Sequence, residues 1–372
     1  MKTLAKLTLF VFILTSCKKD FGENKNLLVE TFTIPKYSEN NVIFEHEGSI
    51  CVMGYPEDYD TYSGLSEYYS IYSFDLNKGR FKTLEKNVEI DYEYSDYSDD
   101  AKKLISATSC QGDIYILNSE RALIKLKSDF SYGEEDEITR YPDALGLFSF
   151  NNMVFVTLSN NKLAIYDPAT KFPMEVEIKG NPVRQIAKKD NYFYVASGKN
   201  IYKSLDCKSW EIQFNVFPES NKELLSINYH NGTFVCATRS DLNVYTVKIN
   251  SVTGQVLTFT NPFDYSQASN LGYSSLDDGC SGYGYFVEDH YFGFIDEFKD
   301  GSYNNSEYKR SLFPQVSQDL SNEKTKVADG YVFNDINRED NNKKNSLKII
   351  QLENYLIYLD NTRLKKVTIP TN

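Results

Sequence analysis

A turn signal that recurs about every 40 residues is the feature that most constrains how this chain folds. Gly112, Asn152, Asn191 and Gly232 each follow one apolar run and precede another, at spacings of 40, 39 and 41 residues. Each period holds four short apolar runs, and a four-stranded sheet of that size buries its faces only against neighbouring sheets. The period therefore predicts an all-β fold, a β-propeller in which each period forms one blade.

The clearest period lies at 183–214. Its run from Tyr192 to Val195 is apolar at every position, as expected of a strand covered on both faces. Its last run alternates Trp210, Ile212 and Phe214 with polar residues, which predicts an outer strand with these three side chains on one face. The composition agrees, because 29 Tyr and 24 Phe against 4 Met favour strands over helices.

Both ends of the chain are predicted to share the last blade. Residues 347–370 contain three strand-like runs and no fourth, whereas 27–35 is an alternating strand with no hairpin partner nearby. A strand from the N-terminal end would complete that sheet and remove its exposed edge. The count is then seven blades within a single domain at 27–372, with six or eight as alternatives because the period blurs between 271 and 335.

The first 16 residues have the organisation of a secretory signal peptide. Lys2 and Lys6 precede the apolar run Leu7 to Leu14, and small residues follow it. Leu14-Thr15-Ser16-Cys17 resembles the lipobox of bacterial lipoproteins, which implies cleavage before Cys17, lipidation of Cys17 and a tether at 17–26. A non-cleaved anchor is the alternative, but the run is shorter than the roughly 20 residues that span a bilayer. We therefore expect a lipid-anchored outer-membrane protein.

Net charge and cysteine spacing limit the classes of partner and cofactor that the chain could bind. The formal net charge of −12 would repel nucleic acid, so we predict no nucleic-acid partner. The five cysteines after Cys17 are far apart and show no metal-like spacing with the three histidines, so we predict buried thiols, no metal and no cofactor. One disulfide among them is the alternative.

Two further resemblances concern the fold. The segment from Ser204 to Trp210 resembles the Asp-box hairpin of BNR and sialidase-like propellers, although it is one residue short and lacks the turn glycine. The resemblance implies that Ser204 and Asp206 brace a turn and that Trp210 packs between blades, away from any catalytic face. The whole organisation resembles propeller lipoproteins of Bacteroidota, in which a charged run after the lipidated cysteine can direct export to the cell surface. Lys18-Lys19-Asp20 resembles such a run, and a solvated linker without any export is the alternative.

Tyrosines among carboxylates give the best-motivated binding site. Tyr59 and Tyr62 lie in an insertion of the first blade, and Tyr92, Tyr94 and Tyr97 lie in the acidic segment that follows it. Such residues can stack on sugar rings and accept hydrogen bonds from hydroxyls, and they also suit protein contacts. Tyrosines placed in loops without any function are the alternative. We predict a non-enzymatic binding or scaffold protein for a glycan or an envelope protein.

An enzyme is the alternative function. A glycoside hydrolase or lyase could use the central funnel, and a subunit of an envelope assembly with no small ligand is a third reading. The candidates for metal binding or acid/base chemistry in strand-rich sequence are Asp277, Asp278, Asp289, His290, Asp296 and Glu297, with solvated strand ends or channel lining as the alternative. No nucleophile elbow, P-loop or dinucleotide fingerprint is present, so acyl transfer and nucleotide chemistry lack support. We therefore predict no catalytic residue.

Overall fold

The computed structural model describes the larger part of the chain. The described residues are 28–35, 42–54, 68–91, 104–183, 185–240, 243–260, 283–287, 290–294, 297–298, 308–312, 317–318, 331–336, 349–352, 355–360 and 363–368. Within these ranges the regular structure is β-strand, apart from a 3-10 turn at Glu134–Asp136. The predicted all-β propeller is confirmed.

The first strand, β1 (Leu28–Thr33), belongs to the last blade. Blade 1 contains β2 (Val42–His46), β3 (Ser49–Gly54), β4 (Tyr68–Asp75) and β5 (Arg80–Asp91). Blade 2 contains β6 (Leu104–Cys110), β7 (Asp113–Asn118), β8 (Ala122–Lys125) and β10 (Glu137–Arg140), while β9 (Tyr132–Gly133) pairs in parallel with β5. Blade 3 contains β11 (Ala144–Phe150), β12 (Met153–Leu158), β13 (Lys162–Asp167) and β14 (Phe172–Glu177).

The second half continues the pattern. Blade 4 contains β15 (Ala187–Lys189), β16 (Tyr192–Ser197), β17 (Asn200–Ser204) and β18 (Glu211–Asn215). Blade 5 contains β19 (Glu223–Leu224), β20 (Asn228–His230), β21 (Thr233–Ser240), β22 (Asn243–Asn250) and β23 (Val256–Thr260). Two three-stranded sheets follow, one of β24 (Tyr283–Val287), β25 (His290–Phe294) and β28 (Ser317–Gln318), the other of β26 (Glu297–Phe298), β27 (Tyr308–Leu312) and β29 (Tyr331–Ile336). Blade 7 contains β30 (Ile349–Leu352), β31 (Tyr355–Asp360), β32 (Arg363–Thr368) and β1.

The innermost strands form a ring. In the described part, β2 contacts β6, β6 contacts β11, β15 contacts β20, β20 contacts β24, β24 contacts β30, and β30 contacts β2. Blades 3 and 4 are joined by an apolar cluster that includes Phe155 and Phe193. This arrangement is consistent with the predicted seven blades, and β24 and β25 are the inner pair of blade 6.

The N-terminal strand closes the ring as the sequence predicts. β1 pairs antiparallel with β32, from Leu28 opposite Thr368 to Thr33 opposite Arg363. The ring of Phe32 lies 4.6 Å from that of Phe74 in blade 1, and a Cβ on Gly79 would come within 2.9 Å of it. β1 therefore joins blade 7 to blade 1.

Blade 4 makes the same contact with blade 5. There Phe214 of the outer strand β18 packs on Gly254 of the next blade, where an added Cβ would overlap the Phe214 ring. The equivalence of Phe32 and Phe214 shows that β1 occupies the place of an ordinary fourth strand.

The core consists of apolar clusters between neighbouring blades. One cluster joins blades 1 and 2, and others join blades 2 and 3, 3 and 4, 4 and 5, and 7 and 1. Middle strands are covered on both faces, so all six residues of β12 are buried. In the clearest predicted period, Phe193 and Tyr194 enter different clusters, which confirms a strand apolar on both faces.

The prediction of a common apolar face for Trp210, Ile212 and Phe214 is wrong. The pairing of β17 with β18 shifts register between Ile201 and Tyr202, so that Phe214 and Ile212 stand opposite them. The extra residue of this β-bulge reverses the side on which the following side chains lie. Trp210 therefore packs between blades 3 and 4, Phe214 packs between blades 4 and 5, and Ile212 is 58% exposed.

The alternation of strand direction gives the ring two faces. We call the side that carries the links from first to second and from third to fourth strands the turn face. The opposite side, with the links from second to third strands and from each blade to the next, is the connection face. Leading turns at Gln111-Gly112, Asn151-Asn152 and Asn231-Gly232 lie on the turn face and have positive φ at both positions, the pattern of type I′ hairpins.

Candidate functional site

The predicted site residues lie outside the described residues. They are the lipidation candidate Cys17 and the tyrosines Tyr59, Tyr62, Tyr92, Tyr94 and Tyr97. Of the candidates for acid/base or metal chemistry, His290 and Glu297 begin the strands β25 and β26, whereas the four aspartates lie outside the described ranges. The roles of all these residues stay predictions.

The strands that flank the two tyrosine-bearing segments share one face. β3 ends at Gly54 and β5 ends at Asp91, and both strands run toward the connection face because each is antiparallel to β4. β4 begins at Tyr68 and β6 begins at Leu104 on that same face. Both segments are therefore bounded by strand ends on the connection face of blade 1 and its link to blade 2.

The base of this region is firmly packed. Tyr69, the second residue of β4, is buried, and its hydroxyl donates a hydrogen bond to the carbonyl oxygen of Phe130 in blade 2. Its ring lies 5.9 Å from that of Tyr132. Burial is the main reason why the pKa of Tyr69 lies well above its ordinary value. This tyrosine therefore stays a neutral structural group that joins blades 1 and 2.

Polar groups on the connection face of blade 2 hold the fold together. Asn118 accepts a hydrogen bond from the backbone of Ala122 at 2.9 Å and so caps the turn between β7 and β8. Arg140 contacts Glu120 at 3.2 Å and Glu137 at 2.8 Å. Arg121 donates to the carbonyl oxygen of Ala144 in blade 3. These two arginines thus make contacts within blade 2 and between blades 2 and 3.

The link from blade 3 to blade 4 is fixed by a close backbone approach. Gly180 has a φ of +125°, and a Cβ there would lie 2.6 Å from the Cα of Gly198. Ser197 donates to the carbonyl oxygen of Asn181 at 2.5 Å, and Tyr202 donates to that of Lys179 at 3.1 Å. This part of the connection face is therefore a rigid platform.

Polar side chains near the axis join neighbouring inner strands. The hydroxyl of Ser106 accepts from the backbone N–H of Leu147 at 3.1 Å, and His46 Nδ1 lies 2.9 Å from the hydroxyl of Ser109. The amides of Gln185 and Asn228 exchange hydrogen bonds at 3.2 and 3.4 Å. These groups connect one blade to the next.

The described thiols have a structural character. Cys51, Cys110, Cys207 and Cys236 are free and buried, as the sequence predicts. Burial raises the pKa of Cys51 and Cys207 to about 12 and that of Cys110 to about 11. A nucleophilic or metal-binding cysteine needs a lowered pKa, so these thiols are poorly suited to catalysis. Among the described residues, no three or more His, Cys, Asp or Glu side chains are grouped to hold a metal ion.

The turn from Ser204 to Trp210 is a joint between blades 3 and 4. Asp206 accepts hydrogen bonds from the backbones of Lys208 and Ser209 at 2.8 and 2.9 Å, and Ser204 accepts from that of Cys207 at 2.9 Å. Trp210 donates its indole N–H to the carbonyl oxygen of Cys207 at 2.9 Å and packs against blade 3. The relation of this turn to the Asp-box stays a prediction.

A salt bridge ties this joint to the neighbouring blade. Lys208 reaches Asp167, the last residue of β13, with a distance of 2.7 Å between Nζ and Oδ2. The hydrogen bond from Lys208 is the main reason why the pKa of Asp167 is lowered. For Asp206, burial would raise the pKa, but the backbone donors outweigh it and the pKa is lowered. Both carboxylates are thus held ionised for structure, unlike a general acid.

One set of exposed surface residues was not predicted from the sequence. Six large apolar or aromatic side chains are exposed at the turn-face ends of outer strands or beside the turns of blades 3, 4 and 5: Phe172, Tyr192, Leu205, Ile212, Val252 and Leu257. Most of them could have been found in the sequence as apolar residues in or just after the link between the third and fourth strands of a blade. They lie on the side of the ring opposite to the strand ends that bound the tyrosine segments.

The fold is similar to that of solved propellers. The WD40 β-propeller domain of Doa1 matches with a TM-score of 0.52 and 9% sequence identity, covering 93% of this chain and 98% of that one. The N-terminal domain of Nup159 gives 0.49 at 12% identity, covering 94% and 97%, and BamB from Moraxella catarrhalis gives 0.46 at 11%, covering 93% and 99%. The sequence matches no family model and no curated protein. At such identities the likeness concerns the fold alone.

No helix in the described ranges is both long enough and apolar enough to cross a membrane.

Proposed function

We propose that this protein is a lipid-anchored, non-enzymatic propeller that binds a glycan through the connection face of blade 1. The observation that carries the proposal is the shared face of the strand ends at Gly54, Tyr68, Asp91 and Leu104. The strands that flank two tyrosine-bearing segments, 55–67 and 92–103, thus all end on one face of the ring.

The chemistry of these segments suits a carbohydrate. Tyrosine presents a flat apolar ring for the C–H face of a sugar and a hydroxyl for its polar edge. The neighbouring carboxylates accept hydrogen bonds from sugar hydroxyls. The underlying platform supports such a site because Tyr69 and the interblade hydrogen bonds hold the strand ends in place. Binding residues in proteins are often carried by loops that a rigid scaffold positions.

The binding test is a glycan array probed with the chain starting at residue 27. We expect selective binding that is lost when Tyr59 and Tyr62, or Tyr92, Tyr94 and Tyr97, are replaced by Ala. Tyr192→Ala is the matched control, because it removes a half-exposed tyrosine from the turn face. An array without any binding, together with a stable co-purifying envelope protein, would show that the partner is a protein.

Attachment at Cys17 is tested separately by membrane fractionation. We expect the wild-type chain to stay in the membrane fraction through repeated washing and the Cys17→Ala chain to be washed into the soluble fraction, because the lipid would be the main membrane anchor. Retention of Cys17→Ala through repeated washing would argue for a non-cleaved anchor, because weak reversible contacts are lost on washing. This result does not depend on the glycan array.

Glycoside hydrolysis or lyase activity is the alternative function. It needs two carboxyl groups held across a cleft, about 5 Å apart for a retaining hydrolase and more for an inverting one. The glycans that bind on the array are also its test, since prolonged incubation of an enzyme with its substrate releases products. Unchanged glycans after incubation would favour the binding function.

A further inference from the structure

The six exposed apolar side chains on the turn face are concentrated in three consecutive blades. Phe172 follows the third turn of blade 3 and is 65% exposed, Leu205 lies in that of blade 4 at 64%, and Val252 lies in that of blade 5 at 76%. Ile212 and Leu257 stand second in the outer strands that follow. Single exposed apolar residues are ordinary, but exposed apolar residues in or just after the third turn of three adjacent blades make this face a candidate interaction surface.

The turns that carry these residues are held rigidly against one another. Lys208 of blade 4 forms its salt bridge with Asp167 of blade 3. On the other side, Lys189 of blade 4 donates to the carbonyl oxygen of Ser251 in blade 5 at 3.1 Å, next to Val252. The Phe214 ring packs on Gly254 in the same turn. The apolar side chains thus project from a pre-formed surface and need no ordering when they bind.

The charge around these turns is almost balanced, in contrast to the chain as a whole, with its formal net charge of −12. The neighbouring charged residues are Lys171, Lys188, Lys189, Lys203 and Lys208 against Asp167, Asp190, Asp206 and Glu211. An anionic surface would be repelled by the chain on average, but these turns do not add to that repulsion.

The chain enters the propeller on this same face. Leu28 begins β1 opposite Thr368, the last residue of the third strand of blade 7, so β1 starts where other blades have their third turn. The ten residues between Cys17 and Leu28 span at most about 35 Å when fully extended. A lipid on Cys17 would therefore keep the turn face close to the bilayer. Blade 7 lies across the ring from the apolar turns of blades 3 to 5.

We propose that the turn face docks on the lipid bilayer, with Phe172, Leu205 and Val252 inserted into the interfacial layer. This inference rests on the proposed lipid attachment of Cys17. The acylated end and the apolar turns are then two attachments on opposite sides of the ring, which lay the turn face flat on the membrane. The connection face, with the tyrosine segments, points away from the membrane toward soluble or surface glycans.

The form of the surface favours lipid as the occupant. Turn tips reach the shallow depth of the interfacial layer, where apolar side chains enter and the stems of neighbouring lysines such as Lys171 and Lys203 can follow with their charges outward. The tether at Cys17 also matters physically, because it keeps the weakly binding apolar turns at a high effective concentration beside the bilayer.

The first experiment measures orientation in the full lipidated chain. Val252→Cys and Ser159→Cys, in a Cys280→Ser background, are each labelled with a fluorophore, since Cys51, Cys110, Cys207 and Cys236 are buried. Ser159 is exposed in the β12–β13 turn on the connection face. In phosphatidylcholine vesicles that contain a quencher on the lipid tails, we expect quenching at position 252 and none at 159. Quenching at neither position, or at 159 alone, overturns the proposal.

The second experiment removes the lipid together with the apolar run Leu7 to Leu14. The chain starting at residue 27 is sedimented with phosphatidylcholine vesicles, with and without the triple substitution Phe172→Ser, Leu205→Ser and Val252→Ser. We expect the vesicle partition constant to fall at least about tenfold with the triple substitution, because even partial burial of three apolar side chains is worth more than one factor of ten in binding. Leu84→Ser is the matched control, since Leu84 is an exposed apolar residue in the middle of β5. Equal binding by all variants, or no binding by any, overturns docking.

The outcomes separate docking from the proposed function. If fractionation shows no lipid at Cys17, vesicle sedimentation of the unlipidated chain still decides whether the turn face binds lipid. If analytical ultracentrifugation instead shows a dimer that the triple substitution converts to monomers, the surface binds a second copy of the chain and the bilayer proposal is overturned. The glycan array reports on the connection face in every case. Unchanged urea unfolding of the triple variant shows that it has folded.

Discussion

At the scale of single residues, the tightest constraint in the described structure is the contact between Gly180 and Gly198. A methyl group on Gly180 would overlap the Gly198 backbone, and the φ of +125° suits only glycine. We expect Gly180→Ala to lower the free energy of unfolding by about 4 kcal/mol, from backbone strain and overpacking together. Urea unfolding followed by fluorescence of Trp210 measures the loss.

Gly232→Ala is the matched control for this substitution. Gly232 also has a positive φ, +79°, but a Cβ there meets no atom within 4 Å. We expect a loss of about 1–2 kcal/mol, the strain of a left-handed residue without a clash. Equal losses for the two variants would mean that the link between blades 3 and 4 relaxes easily and is no rigid platform.

At the scale of elements, the closing strand β1 gives a direct prediction. A chain that starts at residue 35 lacks β1, exposes the edge of β32 and loses the Phe32 contacts with Phe74. We expect its free energy of unfolding to fall by at least about 3 kcal/mol, the cost of losing one aromatic core contact, and its bare edge to pair between molecules. Urea unfolding and sedimentation velocity measure both effects, with the chain starting at residue 27 as the control.

The strands themselves were largely predictable from the sequence, and their irregularities were not. Alternation and turn residues located β1 and the leading turn at Asn151-Asn152, because these depend on local pattern and φ. The bulge that separates Phe214 from Trp210 depends instead on how β18 pairs with β17. A pairing register is set by tertiary contacts, so an alternating sequence reads the same with or without the bulge.

At the scale of the whole molecule, the ring was predictable and the site only in part. A period near 40 residues requires neighbouring sheets, which is a property of the entire chain. The faces of the ring follow from strand direction. Only the pairing of β3, β4 and β5 therefore shows that the strands flanking the segments of Tyr59 and Tyr92 end on the same face. Strand direction likewise places the turn that carries the exposed Val252 on the turn face of the ring.

Whether the ring unfolds as one unit can be measured with its own cysteines. Cys51, Cys110, Cys207 and Cys236 lie in four successive interblade clusters, from blades 1 and 2 to blades 4 and 5. Burial raises the pKa of Cys51 from 9.0 to about 12, which lowers its thiolate fraction at pH 8 roughly a thousandfold in the folded state. Iodoacetamide at that pH therefore labels these thiols when their interface opens.

Because β1 closes the ring, no blade among these has a free end from which to open, and we expect all four thiols to be half-labelled at the same urea concentration. Mass spectrometry of the four cysteine peptides gives each midpoint separately. In the chain that starts at residue 35, the ring is open between blades 7 and 1, so Cys51, nearest to the opening, should be labelled before Cys236. Graded midpoints in the intact chain would instead show that the blades open one by one, as in a linear repeat protein.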